Sequence, residues 1–173
     1  KHKALINPSK VEKQIIVDIL AEASDSAFKY NNLISQTIIG HFDSVQDVLI
    51  ANSNGLWVRD RRIRTRASVT AVASSKTEKQ RGYFGPGALK GLEFYDETDL
   101  NEIAREAARS AVVMLKADFC PGGKMPVIID NGFGGVIFHE ACGHSLEAAA
   151  IAKNASVFSN KIGEKIANEK VSA

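Results

Sequence analysis

Two histidines and a glutamate lie close together in the sequence GGVIFHEACGHSLEAA, residues 134–149. His139 is followed directly by Glu140, and His144 comes five residues after His139. Imidazole nitrogens are common zinc ligands, and a neighbouring carboxylate can accept the proton of a water molecule that the metal binds. In the zinc-hydrolase motif H-E-x-x-H, however, the two histidines are four residues apart. The extra residue decides whether this segment can hold a metal.

Helix geometry limits what a spacing of five residues can do. At about 100° per residue the chain turns by about 500°, which leaves the two imidazoles roughly 140° apart on a regular α-helix. A π-bulge absorbs one additional residue, and Gly143 is a residue type that tolerates such a distortion. The spacing therefore predicts a bulge near Gly143 that brings His139 and His144 to one side. The alternative is two unrelated histidines, one buried and one on the surface, and the spacing alone leaves both open.

The elements around the motif are expected to be a strand, a turn and a helix. The sequence MPVIID, residues 125–130, is a short continuous apolar run, which is typical of a buried strand. The glycine-rich sequence NGFGG then leads into a helix that we expect to reach about Lys153. Gly132, Gly134 and Gly135 leave room for the turn, and they allow backbone to lie next to a substrate.

Earlier in the chain the pattern predicts an antiparallel meander of three or four strands. Asn54-Gly55 is a strong hairpin signal. From position 62 onward the residues alternate between two faces. One face holds Ile63, Thr65, Ala67, Val69 and Ala71, and the other holds Arg62, Arg64, Arg66, Ser68 and Thr70.

Two amphipathic helices complete the predicted α+β fold. The first runs from about Lys10 to Ser24, with a capping box formed by Ser9 and Glu12. The second follows Asp99, whose spacing to a glutamate at position 102 resembles another capping box. We expect one α/β domain over residues 1–173, an antiparallel meander packed with helices and followed by the strand, turn and helix that carry the histidines.

Composition narrows the classes of function. The 173 residues are 45% hydrophobic with a net charge of +2, so we expect neither nucleic acid nor a membrane as a partner. No apolar run reaches the roughly 18 residues that span a bilayer, and no secretory signal is visible. Two cysteines, Cys120 and Cys142, make a poor disulfide framework. These features predict a cytoplasmic location.

From about Val45 onward the sequence resembles the TldD family of the TldD/PmbA peptidases. The resemblance rests on the H-E-x-x-x-H motif followed by Leu146-Glu147, and on PGGKMPVIID and NGFGG before it. The sequence VFSNKIGEKIANEKVSA after the motif and the meander SNGLWVRDRRIRTRASVTAVAS are also similar to the family. These segments follow one another along the chain in the order expected for the family.

The resemblance implies a zinc-dependent peptidase that cleaves unfolded or flexible peptides. His139 and His144 match the family's metal ligands, and Glu140 matches its catalytic glutamate. The family's third ligand is a cysteine in a C-terminal domain, and neither Cys120 nor Cys142 lies where that ligand belongs. The resemblance further implies a fragment of the N-terminal half, inactive when isolated, and a PmbA/TldE-type partner subunit or a homodimer.

Several roles stay open at the level of the sequence. Glu147 either orients an imidazole ligand or serves as a helix cap or surface carboxylate. The arginines at positions 62, 64 and 66 favour a solvated sheet face, or one that contacts a partner or an acidic peptide, over a nucleic-acid site. His2 and His41 are interpreted as ordinary surface or loop histidines. The alternative to an enzyme is a non-catalytic assembly module that pairs with a PmbA/TldE-type subunit.

Overall fold

The structure is a computed structural model that describes residues 4–171, with only the backbone described at Phe133. The chain forms two compact units, Lys1–Cys120 and Pro121–Ala173. Helices and an antiparallel sheet make the α+β fold that the sequence predicts, with the two histidines after the strands. The expectation of one domain over residues 1–173 stays a prediction. His2 lies outside the described residues.

The sheet belongs to the first unit and is centred on its second strand. The strands are β1 (Ile34–Ala51), β2 (Trp57–Ser74), β3 (Lys79–Phe84) and β4 (Gly87–Ala88). β1 pairs antiparallel with β2 along one edge, and β3 and β4 pair antiparallel with the other edge. β3 and β4 reach only the C-terminal half of β2, so within residues 4–171 the strand residues 57–64 pair with β1 alone.

The predicted hairpin is confirmed, although its loop is longer than two residues. The backbone N–H of Asn52 donates to the carbonyl of Leu56, which closes the loop. The side chain of Asn52 accepts hydrogen bonds from the backbone N–H groups of Asn54 and Leu56. Gly55 has φ +83°, the left-handed conformation that favours glycine. A side-chain acceptor therefore organises this turn in addition to the Asn-Gly pair.

The core lies between the alternating face of β2 and two helices, α1 (Lys13–Tyr30) and α3 (Leu100–Lys116). Of the predicted apolar face, Thr65, Ala67, Val69 and Ala71 are buried and Ala73 continues it, whereas Ile63 is only half-buried. Alanines on both helices face it, which lets helix and sheet backbones approach closely. At Gly82 of β3 a Cβ atom would lie 2.0 Å from the carbonyl oxygen of Ala107. Small residues thus set the spacing of this interface.

The helix starts follow the prediction in one case and depart from it in the other. In α3 the carboxylate of Asp99 accepts the backbone N–H of Glu102, as the capping pattern predicts. The Ser9–Glu12 capping box is wrong, because a 3-10 turn, Pro8–Lys10, precedes α1 and Asn7 caps that turn. α1 begins later than predicted, at Lys13, and continues to Tyr30.

A buried carboxylate fastens the N-terminal segment to the unit. Glu93 precedes α2 (Phe94–Glu97), and its side chain accepts backbone N–H groups from Leu5, Ile6 and Gly91, each at 2.9 Å. Burial raises the pKa of this carboxyl, but the hydrogen bonds from Leu5, Ile6 and Gly91 outweigh burial and lower the pKa to about 2. Residues far apart in sequence are joined by this one side chain.

The interpretation of His41 as an ordinary surface or loop histidine is wrong. His41 lies on β1 with its side chain only 9% exposed. Its Nδ1 is 2.7 Å from the hydroxyl of Tyr95, and its Nε2 is 3.1 Å from a carboxylate oxygen of Asp43. Burial and the charge of Asp43 raise the pKa of Tyr95 to about 12, so the hydroxyl stays protonated. The cluster ties α2 to the sheet.

The second unit consists of short helical pieces. The predicted buried strand at residues 125–130 is wrong, since this segment has no strand partner among the described residues and Ile128 is 99% exposed. An apolar run becomes a strand only when a neighbouring strand satisfies its backbone. The predicted helix to Lys153 is interrupted at Glu147, beyond which α5 spans Ala148–Ala152. Among the described residues, no helix is both long and apolar enough to span a bilayer.

Candidate metal centre

The histidines lie on a helix whose backbone changes type at each step. A 3-10 turn, Gly132–Gly134, leads into α4 (Gly135–Phe138), and His139–Gly143 then form a π-helical turn. Within that turn the backbone N–H of His144 donates to the carbonyl of His139, five residues back. The predicted π-bulge is confirmed. The extra residue between the histidines is accommodated by the widened turn.

The π turn brings the side chains of His139 and His144 together. Their ring centroids are 4.5 Å apart and the rings meet at 70°. One potential ligand atom from each of His139, Glu140 and His144 lies within 4.8 Å of the others, and all three residues are exposed. Across the part of the chain that the structure describes, this is the one such group of three or more residues.

The donor set is consistent with a divalent metal ion. Histidine nitrogens bind zinc at about 2.0–2.1 Å, so two ligand atoms on one ion lie roughly 3–4 Å apart. The three potential ligand atoms lie within 4.8 Å of one another, so they need to move by little to reach that spacing. Two imidazoles and a carboxylate also match the nitrogen and oxygen ligands that zinc accepts. The residues present therefore fit the metal that the sequence predicts.

Glu147 fixes one of the two imidazoles. A carboxylate oxygen of Glu147 is 2.7 Å from Nδ1 of His144, while Nε2 of His144 is 3.6 Å from the carboxylate of Glu140. The hydrogen bond to Glu147 raises the pKa of His144, desolvation lowers it by a smaller amount, and the negative charges of Glu140 and Glu147 raise it further, so that the net pKa is raised. Nδ1 is thus engaged by Glu147, which leaves Nε2 as the nitrogen that faces Glu140.

Glu147 also occupies the N-cap position of α5, yet its side chain does not cap that helix. The structure records no side-chain capping hydrogen bond there, and only the backbone carbonyl of Glu147 accepts the N–H groups of Ala150 and Ile151. The cap role considered from the sequence is therefore not the one that the side chain takes. The side chain bonds to His144 instead.

The glycines in and near the turn differ in how strictly their positions require a glycine. Gly132 has φ +75°, a conformation that other residues rarely adopt, and no pattern singled it out above its neighbours. A Cβ at Gly134 would lie 2.6 Å from a side-chain methyl of Ile129, while a Cβ at Gly135 would meet nothing within 4 Å. At Gly143 the backbone is ordinary right-handed helix and a Cβ would contact His139 at 3.6 Å. The π turn therefore does not depend on a glycine at position 143.

Neither Cys120 nor Cys142 belongs to the group of His139, Glu140 and His144. Cys120 is exposed, and Cys142 is half-buried within the π turn.

The side chain of Ser156 forms hydrogen bonds to the segment after the histidines, which the sequence did not predict. The hydroxyl of Ser156 donates to the carbonyl of Ser145 and accepts the N–H of Phe158.

Comparison with family models gives two adjacent matches. Residues 6–115 match the PmbA/TldA metallopeptidase central domain, and residues 122–173 match the PmbA/TldA metallopeptidase C-terminal domain. The boundary between the two matches coincides with the boundary between the two compact units.

Individual proteins agree with the family models. A metalloprotease TldD homologue of Haemophilus influenzae is 32% identical over 169 residues, which are 95% of this chain and 34% of that protein. A metalloprotease of Methanothermobacter thermautotrophicus is 31% identical over 164 residues, 95% of this chain and 36% of that protein. The chain therefore spans about a third of the length of these relatives.

Solved structures share the fold at lower sequence identity. A proposed modulator of a DNA gyrase from Thermotoga maritima superimposes with a TM-score of 0.81 at 22% identity, over 97% of this chain and 38% of that one. A proposed modulator of DNA gyrase from Bacteroides thetaiotaomicron gives 0.79 at 15% identity, with the same two coverages.

Proposed function

We propose that this chain, which belongs to the PmbA/TldA metallopeptidase family, supplies two metal ligands and the general base of a zinc-dependent peptidase. The observation that carries the proposal is the π turn, which places potential ligand atoms of His139, Glu140 and His144 within 4.8 Å of one another. The substrates are unfolded or flexible peptides. The third protein ligand lies outside this chain.

Each residue of the motif has a separate task. His139 and His144 hold the ion, and His144 uses Nε2 because Glu147 engages its Nδ1. Glu140 accepts the proton of the attacking water and passes it to the leaving amine. When bound, zinc supplies Lewis acidity toward the water and the peptide carbonyl. Gly134 and Gly135 are proposed to lie next to the substrate, and the open space at Gly135 supports this.

Glu147 is proposed to act through His144 and not on the substrate. Metal-binding histidines usually donate their second ring N–H to a carboxylate or carbonyl, which fixes the tautomer and the orientation of the ring. The bond of 2.7 Å between Glu147 and Nδ1 of His144 is of this kind.

The proposed function also includes a cytoplasmic location, which would keep Cys120 and Cys142 reduced.

The test is the substitution Glu140→Gln in the full-length protein. Cleavage of a fluorescently labelled unfolded protein is expected to fall at least about 100-fold, because an amide cannot accept the proton. Zinc content is expected to stay near that of the unsubstituted protein, while His139→Ala should lower it. Glu164→Gln is the matched control, since that carboxylate is also exposed and in the same unit. Undiminished cleavage by Glu140→Gln would contradict the proposal.

A second candidate, an assembly module that pairs with a PmbA/TldE-type subunit or with a second copy, is favoured by exposed apolar side chains. Leu49, Ile50, Trp57 and Val58 near the hairpin tip are all exposed, and Trp57 is 66% exposed. Clusters of this kind mark contact surfaces. If biological activity persists in Glu140→Gln but is lost together with assembly in Trp57→Ser, the assembly role is the correct one.

A further inference from the structure

One edge of β2 is open beside an arginine-rich cavity. β4 pairs with β2 only at Thr65 and Arg66, and residues 57–64 have no neighbour on that edge among the described residues. A cavity of about 1040 Å³ lies there, with walls from residues 60–64 of β2, from Leu89 just after β4, and from the N-terminal segment including Leu5 and Lys10. We call this cavity the β2 slot.

The backbone of β2 offers hydrogen bonds to the β2 slot. The N–H of Ala67 donates to the carbonyl of Pro86, which shows that the polar groups of Ala67 point toward the edge that carries β3 and β4. These groups alternate between the two edges along a strand, and the pairing of β1 with β2 records no irregularity over residues 57–67. The N–H and C=O groups of Arg61 and Ile63 therefore point to the same edge, where β4 no longer covers them.

The side chains around the β2 slot give it positive charge. Lys10, Arg61, Arg62 and Arg64 line it, with Asp60 as the one acid in the lining. Asp47 pairs with Arg61 at 3.4 Å and Asp60 with Arg62 at 3.0 Å. Among residues 4–171, neither Arg64 nor Lys10 has an ion pair or a side-chain hydrogen bond.

We propose that the β2 slot binds an extended, acidic segment of the peptide substrate as an added strand. The open N–H and C=O groups of Arg61 and Ile63 bind its main chain, and the neighbouring arginines attract its carboxylates. Five residues of β2 line the slot, which corresponds to a strand of about 17 Å. This assignment rests on the proposed peptidase function, because it names the chemical class of peptide that the enzyme holds.

Binding can be measured apart from cleavage in the full-length protein carrying Glu140→Gln. The probes are fluorescein-labelled eight-residue peptides in which threonine alternates with glutamate, glutamine or lysine, followed by fluorescence anisotropy. The glutamate peptide is expected to bind at least about tenfold more tightly than the glutamine and lysine peptides. This difference in affinity comes from several exposed ion pairs, each of modest strength. Its affinity should fall as salt is added, because exposed charges are screened.

Variants and a modified peptide separate the two parts of the proposal. Replacing Arg61, Arg62 and Arg64 together by glutamine should weaken binding about tenfold. The same replacement of Arg81, Arg105 and Arg109, which are exposed or half-exposed elsewhere, should leave it unchanged. N-methylation of the central amides keeps the charge of the peptide but removes its donors, so it should weaken binding to a similar extent.

Several results would contradict the binding of an acidic peptide in the β2 slot. Equal binding of the glutamate and glutamine peptides, full binding by the triple arginine variant, or full binding of the N-methylated peptide would each overturn the proposal. Displacement of the peptide by a single-stranded oligonucleotide of equal charge at equal concentration would assign the β2 slot to nucleic acid and overturn it as well. If the Glu140→Gln protein binds the peptides as expected but the unsubstituted full-length protein does not cleave unfolded protein, only the proposed peptidase function is contradicted.

Discussion

The substitution Glu93→Gln should destabilise the first unit in a way that depends on pH. One oxygen of Glu93 accepts the N–H groups of Leu5 and Gly91, and the other accepts that of Ile6. A glutamine can keep the first two bonds but turns its own amide N–H toward the N–H of Ile6. The side chain is 6% exposed, so water does not replace the lost acceptor.

The size of the effect follows from the pKa of Glu93. The hydrogen bonds lower it from 4.5 to about 2, and a difference of about 2.5 pKa units corresponds to about 3 kcal/mol of unfolding free energy near neutral pH. Because the pKa is lower in the folded state, this stabilisation is complete above pH 4.5 and is lost as the pH falls toward 2. At pH 3 less than half of this stabilisation remains by the same linkage relation.

Urea unfolding at pH 7 and pH 3, followed by circular dichroism, measures both values. The amide protons of Leu5, Ile6 and Gly91 should also exchange roughly 100-fold faster at pH 7 in the variant, since local opening becomes easier by the same free energy. Glu22→Gln is the control, because that glutamate is exposed on α1. A loss below 0.5 kcal/mol (about a twofold change in the equilibrium constant), or an equal loss at both pH values, would refute the reasoning.

Three further substitutions test the metal centre. Glu147→Gln should lower the pKa of His144 toward its ordinary value, because the hydrogen bond that raises it loses its charge; an NMR titration of the metal-free protein measures this, and an unchanged pKa would contradict it. In the same variant zinc affinity should fall about 10- to 100-fold in a chelator competition. Gly132→Ala should destabilise the turn by about 1 kcal/mol in thermal unfolding because of its positive φ. Gly143→Ala should leave both zinc content and stability nearly unchanged, since its Cβ meets only ordinary contacts; loss of zinc there would show that the π turn needs a glycine.

Features that depend on neighbouring residues were predictable from the sequence. The π turn follows from the fixed rotation of a helix per residue and the five-residue spacing of His139 and His144. The inward face of β2 follows from the alternation of side chains along a strand. The cap at Asp99 follows from the reach of a short carboxylate to an N–H three residues on. Each of these signals lies within a few consecutive residues.

Features that depend on distant residues were not predictable in the same way. Glu93 binds N–H groups 87 and 88 residues away, and His41 meets Tyr95 across 54 residues, so no local pattern marks either contact. The run at residues 125–130 is apolar enough for a strand, but a strand also needs a partner that its own sequence does not contain. The open edge of β2 was not predictable from its sequence either. The arginines beside this edge do not determine where β4 stops pairing with β2.

The helix is interrupted at Glu147, although the local sequence favours its continuation. The alanine-rich sequence after His144 favours a continuous helix, which is why the pattern predicts one to Lys153. The backbone instead becomes extended at Glu147, with φ −61° and ψ 132°, and a new helix starts there. Short side chains such as serine or aspartate cap a helix well, whereas this longer carboxylate leaves the cap unmade and bonds to His144. The carboxylate is therefore poorly suited to the cap position of α5, and its length lets it reach the imidazole of His144 instead.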